Sequence, residues 1–301
     1  MQKLCSIVTL MVTVSCYGIP SAVSYALNEG RLGDNIRSFT QAYWEAYKYN
    51  VPFLYVPFPG SDQLNLHTQF QVLTSDLQAA YHEVKKIQEG ERLVMTTNND
   101  TLYITTYFCR TDINWKDEQF VEQVRWLFSP RTPFALPEGI ENGIAIHVRR
   151  GGGFHVDTQW LFRAEPAHFP DLNYYVRTLD YLISHLDGHQ VIFLCTDDPN
   201  PRDIAQQIFN ALAPEIAARV EIRFRGEGNF HDRNVIEDFM MMRSTKYLIR
   251  PISNMSEYAD LLGNHACIIF PARHRSGKPF GIIEAAVFMY KDKPAEMVMI
   301  L

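Results

Sequence analysis

From Ile144 onward the sequence repeats one arrangement: a short β-branched, apolar run, a polar turn, then apolar residues at helical spacing. The arrangement predicts strands at Ile144–Val148, Val191–Cys195, Val220–Phe224, Tyr247–Pro251 and Ala266–Phe270. The helices it predicts are Leu172–Leu186, Arg202–Ala218, Val235–Thr245, Met255–Leu262 and Ile282–Tyr290. Strand, helix, strand at this period implies a parallel sheet, because each helix must return the chain to the same end by a right-handed crossover. No fixed-period repeat is present, which excludes solenoids and propellers.

The first half is less regular. A strand at Ser21–Leu27 precedes a polar turn containing Gly30 and Gly33, and Ile36, Phe39, Tyr43, Trp44 and Tyr47 mark a helix over Ile36–Tyr49. A glycine-rich loop that opens a helix can bring backbone N–H groups against an anion. Val51–Val56 reads as a strand limited by Pro52, Pro57 and Pro59, and Leu64–Ile87 as a long polar helix ending at Gly90. Strands at Leu93–Thr97 and Leu102–Phe108 and a helix at Trp115–Phe128 follow. Prolines and glycine between Ser129 and Gly139 interrupt all periodicity, so the expected division is residues 23–138 and 139–301.

In a parallel sheet the carboxyl ends of the strands share one rim, and ligands bind there. His147, Arg149 and Arg150 follow the first strand of the second half, and a triplet of glycines, Gly151–Gly153, turns the chain behind them. Thr196, Asp197 and Asp198 follow the second strand, Arg225, Gly226 and Glu227 the third, Ser253–Ser256 the fourth, and Arg273, His274 and Arg275 the fifth. Guanidinium groups, hydroxyls at a helix start and carboxylates around one crevice suit a nucleotide diphosphate. The competing reading is an arginine pair solvated at a strand end. Asp238, one turn into its helix, is either a favourable acid near a helix N-terminus or a carboxylate that accepts paired N–H groups from a guanine edge.

Composition narrows the class. With 301 residues, 47% hydrophobic and 21% charged, the chain is long enough for one large core or two medium ones. A net charge of −6 argues against a non-specific nucleic-acid binder, so no nucleic-acid partner is expected. Lys3, the apolar run Leu4–Tyr17 and the small residues Gly18, Ser21 and Ala22 have the layout of an export leader over residues 1–22, with Cys16 open to lipid modification. An uncleaved anchor and a buried strand are the other readings of this stretch; the leader would carry the protein out of the cytosol or into a secretory lumen, and would be its only membrane contact. Cys109, Cys195 and Cys267 are widely spaced, which offers no disulfide framework and no metal-ligand spacing, and Cys195 and Cys267 fall in apolar runs expected in the core.

Four segments in order resemble a known family. His147-Val148-Arg149-Arg150-Gly151 resembles the HxRR(G) motif of the α1,2-, α1,6- and protein O-fucosyltransferase superfamily. Gly30-Arg31-Leu32-Gly33-Asp34-Asn35 is similar to its GxLGNQ loop, and Cys195-Thr196-Asp197-Asp198-Pro199 to its TDDP strand end. The stretch from Ile236-Glu237-Asp238-Phe239 through Tyr247-Leu248-Ile249 to Ser253-Asn254-Met255-Ser256 resembles its D…M…(F/Y)(L/I)…S..S block.

The resemblance implies a GT-B architecture, two Rossmann-like α/β domains with parallel sheets facing across a cleft, and an inverting transferase that needs no metal or other cofactor. It implies GDP-fucose as donor and a glycan or glycoprotein as acceptor. By position, Arg149 would bind the β-phosphate with Arg150 in support, His147 and Asp238 would address the guanosine, and Ser253 would contact the phosphates, beside Asn254, Ser256 and Asp198. Gly30, Gly33 and Asn35 would close the cleft from the N-terminal side. The chain departs from the family where Gly152 and Gly153 follow the motif and the next acid is Asp157, and where Asp34 and Asn35 replace Asn and Gln. Asp157, His155 and Glu227 are the sequence candidates for a catalytic base. A transferase using another nucleotide sugar, and a non-catalytic exported carbohydrate-binding protein on this fold, are the alternative readings.

Overall fold

In the computed structural model the described residues are 19–27, 30–96, 100–150, 158–229, 233–275 and 281–300. The export leader lies almost wholly outside them, as do Asp157, His155 and the glycine triplet. No helix among the described residues is long and apolar enough to cross a membrane.

The first half holds β1 (Ala22–Tyr25), α1 (Leu32–Tyr49), β2 (Leu54–Tyr55), β3 (Gln71–Val72), α2 (Ser75–Ala79), β4 (Glu83–Ile87), β5 (Thr101–Thr105) and α3 (Glu118–Leu127). β1, β5 and β4 form a parallel sheet in that order, β2 pairs β3 in parallel, and Val23 bridges Phe53 to bring the two sets together. The helix α1 starts where Asp34 accepts a hydrogen bond from the Arg31 N–H and stops where Asn50 takes a left-handed conformation, φ 52°. Its buried face packs Phe39 among Tyr25, Phe53, Phe70 and Phe128 with ring centroids 5.0 to 5.9 Å apart.

The second half holds β6 (Ile144–Val148), α4 (Thr158–Ala164), α5 (Leu172–Ser184), β7 (Gln190–Thr196), α6 (Pro201–Ala211), α7 (Pro214–Ala217), β8 (Val220–Phe224), α8 (Val235–Ser244), β9 (Tyr247–Ile249), α9 (Asn254–Leu262), β10 (Cys267–Arg275), β11 (Ile282–Tyr290) and β12 (Glu296–Met299). They form one sheet ordered β12-β11-β10-β9-β6-β7-β8. β8, β7, β6, β9 and β10 are parallel, and the chain runs outward from β6 in both directions, first to β7 and β8, then to β9 and β10. The order reverses between β6 and β9, which leaves a crevice at their carboxyl ends.

One face of this sheet packs on α5 and α6 through Ile146, Tyr175, Leu179 and Ile208. The other packs on α8 and α9, and that layer is shared with the first half: Phe39, Phe120 and Phe128 belong to one buried cluster with Phe239, Met242 and Leu262. Arg125 of α3 reinforces the contact by donating to the carbonyls of Leu262 and Gly263 at the end of α9, each at 3.0 Å. The three cysteines among the described residues are buried and unpaired with one another, Cys195 and Cys267 in the core as expected.

Several elements differ from the sequence expectation. Ile282–Tyr290 is a strand, antiparallel to β10, and β12 adds a further antiparallel strand, so the sheet is not parallel throughout. The residues alternate between buried and partly exposed along much of that stretch, and the β-branched Ile282, Ile283 and Val287 favour the pleat. Leu64–Ile87 is not one helix but a short 3₁₀ turn, β3, α2 and β4. The stretch has no apolar stripe at helical period, and β4 instead completes the hydrogen-bonding edge of β5. Arg202–Ala218 breaks at Pro214, which cannot continue the preceding helix. Of the expected strand Leu93–Thr97, the described residues 93–96 form no strand.

Candidate functional site

Strand β6 delivers the central residues. Tyr175 fixes its end by donating to the carbonyl of His147 at 2.7 Å. The His147 imidazole is buried, and its Nδ1 has no hydrogen-bond partner among the described residues. Burial, with Arg149, Arg250 and Arg31 nearby, holds its pKa down to about 3. His147 is therefore neutral at physiological pH, and the cations at this rim are arginines.

The Arg149 guanidinium lies over the Phe169 ring, 4.6 Å from its centroid. Burial and the neighbouring Arg31 pull it below the usual guanidinium range. Arg150 faces elsewhere: its guanidinium lies 5.4 Å from the Phe162 ring, while its backbone N–H donates to Asp197 Oδ1 at 2.6 Å.

The first half closes the crevice with the turn into α1. Arg31 Nη1 meets Asp197 Oδ2 at 3.4 Å, so one carboxylate holds the loop after β6 and the loop before α1. Asp34 Oδ1 accepts from Asn254 Nδ2 at 2.6 Å and from Tyr107 Oη at 3.0 Å, tying α1 and the end of β5 to the start of α9. Asn35 is buried and donates to the carbonyls of Gly30 and Arg31 at 3.1 and 3.2 Å, which shapes the loop from behind.

The resulting cleft, about 270 Å³, sits where the strand order reverses; Arg31, His147, Arg149, Asp197, Asp238 and Ser253 are among its walls. The N-termini of α1 and α9 both open onto it, and each contributes first-turn N–H groups and the positive end of a helix dipole. Ser253, at the N-cap of α9, makes no capping bond with its own side chain. Two arginines and two helix N-termini around one crevice suit an anion. Arg31, Leu32 and Val235 also wall a second space of about 790 Å³ between Pro59–Gln63, Pro130–Phe134 and the start of α8, so the cleft continues well beyond a single phosphate.

Asp238 lies in the first turn of α8 and is about 9% exposed. Its Oδ1 accepts from Arg225 Nη2 at 2.5 Å, and Arg225 also reaches Glu237 at 3.3 Å. Burial outweighs the Arg225 guanidinium, and the Asp238 carboxyl is raised to about 6.

Of the residues singled out in the sequence, Gly33, His147, Arg149, Asp238, Ser253 and Asn254 line the cleft, and Gly30 and Asn35 line the adjoining space. Asp198 does not: its carboxylate accepts from the Asn200 N–H at 2.8 Å at the turn into α6, and Asp197 takes the place on the cleft wall. Ser256 is buried and donates back to the Ser253 carbonyl at 3.2 Å. Glu227 is exposed in the turn after β8. Asp157 falls outside the described residues.

The structure adds Arg31, Asp34, Tyr107, His168 and Asp197 to the walls, and Arg225 as the partner of Asp238. Arg31, Asp34 and Asp197 stand inside the segments read as motifs, next to the residues selected, and Tyr107 and His168 carry no sequence signal. Arg250 supports the rim from below, paired with Asp260 of α9 at 2.9 Å.

The same fold occurs in fucosyltransferases of known structure. A point variant of Arabidopsis thaliana FUT1 in complex with GDP matches 91% of this chain and 75% of its own, with a TM-score of 0.56 and 10% identity. POFUT1 in complex with GDP-fucose matches 82% of this chain and 94% of its own, with a TM-score of 0.47 and 10% identity. NodZ alpha-1,6-fucosyltransferase co-crystallized with GDP matches 94% and 99%, with a TM-score of 0.47 and 14% identity. No protein-family model and no curated protein sequence matches. The chain therefore has the fucosyltransferase GT-B fold at a distance where sequence comparison finds nothing.

Proposed function

We propose that the protein transfers fucose from GDP-fucose to a hydroxyl of a glycan or glycoprotein, with inversion and without a metal. The observation that carries this reading is the convergence of Arg149, Arg31, the α9 N-terminus and Asp238 on one crevice at the reversal of strand order. Arg149 and Ser253 wall the crevice together with Asp238, and the fold is shared with an Arabidopsis fucosyltransferase bound to GDP.

In this reading Arg149 and the first-turn N–H groups of α9 hold the β-phosphate. As the bond between the fucose anomeric carbon and the phosphate oxygen breaks, negative charge grows on the diphosphate. Donors already fixed there stabilise that charge without reorganising, the role a divalent cation fills in other transferases. The acceptor hydroxyl attacks the opposite face of the anomeric carbon, which inverts it. Neutral His147 supplies a hydrogen-bonding nitrogen to the nucleoside and adds no charge. The leader would place this chemistry outside the cytosol or in a secretory lumen.

Binding of GDP to purified protein tests the donor assignment. At a hundredfold excess over Kd a ligand adds about 2.7 kcal/mol to stability, which a thermal melt resolves readily. GDP should raise the midpoint of the wild type and not that of Arg149→Ala. Absence of GDP binding by calorimetry would sink the assignment, and a stronger response to another sugar nucleotide in a panel would redirect it.

A further inference from the structure

We propose that the crevice at the carboxyl ends of β1, β4 and β5 receives the acceptor sugar, and that Asp34 takes the proton from its attacking hydroxyl. The inference rests on the donor assignment above. This crevice, about 440 Å³, is separate from the donor cleft, but Asp34 and Tyr107 wall both. A group that has to meet donor and acceptor together must stand at such a junction, and among the described residues Asp34 is the carboxylate common to the two walls.

The lining of the crevice fits a sugar. Phe108, 58% exposed, presents a ring held edge-on to Tyr107 at 4.5 Å, and Leu27 adds exposed apolar surface. Gln88 and Glu89 are exposed beside them at the end of β4. A pyranose has an apolar C–H face that covers an aromatic ring and a rim of hydroxyls that bond to amides and carboxylates, so a few polar groups around exposed apolar surface match its chemistry.

The Asp34 carboxylate is oriented but not filled. An ionised carboxylate offers about four acceptor sites. Asn254 and Tyr107 occupy Oδ1, and the Arg31 N–H occupies one position on Oδ2 at 3.2 Å, which among the described residues leaves one on Oδ2 for an incoming hydroxyl. The charged and titratable groups around it are Arg31, Arg149 and Tyr107, with the Arg37 guanidinium over the Tyr107 ring, 4.9 Å from its centroid. In the step, the acceptor oxygen bonds to the anomeric carbon and the carbon–oxygen bond to phosphate breaks with its electron pair leaving on GDP. The hydroxyl proton passes to Asp34, which returns it to solvent.

The test uses Asp34→Asn, which keeps the shape, with water as the acceptor and GDP release from GDP-fucose as the readout across pH 4–9. Loss of a general base lowers the rate by about 10²- to 10⁴-fold. The expected result is a fall of at least ~100-fold in turnover and a GDP affinity within about threefold of wild type, a change worth well under 1.4 kcal/mol. Saturation-transfer NMR with lactose, maltose and N-acetyllactosamine in the presence of GDP should show contact with at least one disaccharide, and Phe108→Ala should abolish it. Unchanged turnover in Asp34→Asn, a parallel loss of turnover and GDP affinity, GDP binding by a wild type that releases none from GDP-fucose, or disaccharide contact absent or indifferent to Phe108→Ala each overturn the proposal. Failure of the wild type to bind GDP is a different result and takes down the donor assignment itself.

Discussion

Gly33 and Met255 stand backbone to backbone where α1 and α9 begin: a Cβ on Gly33 would lie 2.4 Å from the Met255 nitrogen and 2.9 Å from its Cα. The approach is closer than any side chain allows, and its obstacle is main chain that cannot rotate aside. Gly33 therefore sets how near the two helix N-termini come across the cleft.

Gly33→Ala should force those ends apart. Overpacking of this kind costs about 1–3 kcal/mol, and the melting midpoint should fall by several degrees. Weaker GDP binding should accompany the fall, since both helix ends wall the cleft. Gly226→Ala is the control, because a Cβ there meets nothing within 4 Å, and it should melt like the wild type. Equal midpoints for the two variants would show that the helix ends can separate freely.

How much of this was legible in the sequence depends on what each residue answers to. The strand–helix alternation placed His147, Arg149 and Ser253 at one rim because a parallel sheet leaves no other choice once the strands are located. The edge of the sheet is the exception: Ile282–Tyr290 continues the strand–helix alternation in sequence, but it pairs as an antiparallel strand along the edge of β10. Pairings between distant elements left no trace. Arg225 on Asp238 spans thirteen residues and two elements, and Asp34 with Asn254 spans the whole molecule. The motif segments pointed to the right loops, but which of two adjacent acids walls the cleft, Asp197 or Asp198, depends on the turn into α6, where the Asn200 N–H holds the Asp198 carboxylate.

His147 and Asp238 should tilt stability with pH in opposite directions. His147 has a folded pKa of about 3, far below its unfolded value, so the unfolded state binds the proton first and stability is lost as pH falls below about 6.5. The loss is on the order of a few kcal/mol by the acid end of that window. Asp238 is raised to about 6, so its folded form holds the proton more tightly; its contribution is present below about pH 4 and is lost as pH rises through about 6. Melting midpoints between pH 4 and 7 should fall less steeply with acid for His147→Gln than for the wild type, and more steeply for Asp238→Asn. Parallel curves for the three proteins would refute the assignment.

The Arg31–Asp197 pair should matter more to binding than to folding. It is partly exposed, with side-chain accessibilities of 27% and 12%, so its direct contribution to stability is on the order of 1 kcal/mol or less. Its position, joining the α1 turn to the β6 loop, gives it hold over the cleft. Arg31→Met should melt within a few degrees of wild type yet bind GDP at least ~10-fold more weakly, since it also removes a cation from an anion site. A large drop in midpoint with unchanged GDP affinity would assign the pair to the fold instead.

In the proposed reading Asp238 carries the choice of base. Only one of its oxygens is engaged by Arg225, and guanine presents two N–H groups side by side, which a carboxylate can accept and an amide cannot. A well-placed paired contact is worth about 1–3 kcal/mol of discrimination between bases, so Asp238→Asn should cut the preference for GDP over ADP by roughly 10- to 100-fold. Because its carboxyl is raised to about 6, wild-type affinity for GDP should also decline as pH falls below that value, when the protonated group loses an acceptor. Calorimetry with both nucleotides at pH 5 and 7.5 separates the effects. The wild type should lose GDP affinity at the lower pH, ADP should respond little, and Asp238→Asn should bind both nucleotides alike at either pH. A variant that still prefers GDP would move guanine recognition elsewhere along the cleft, toward the larger space beside Val235 and Glu237.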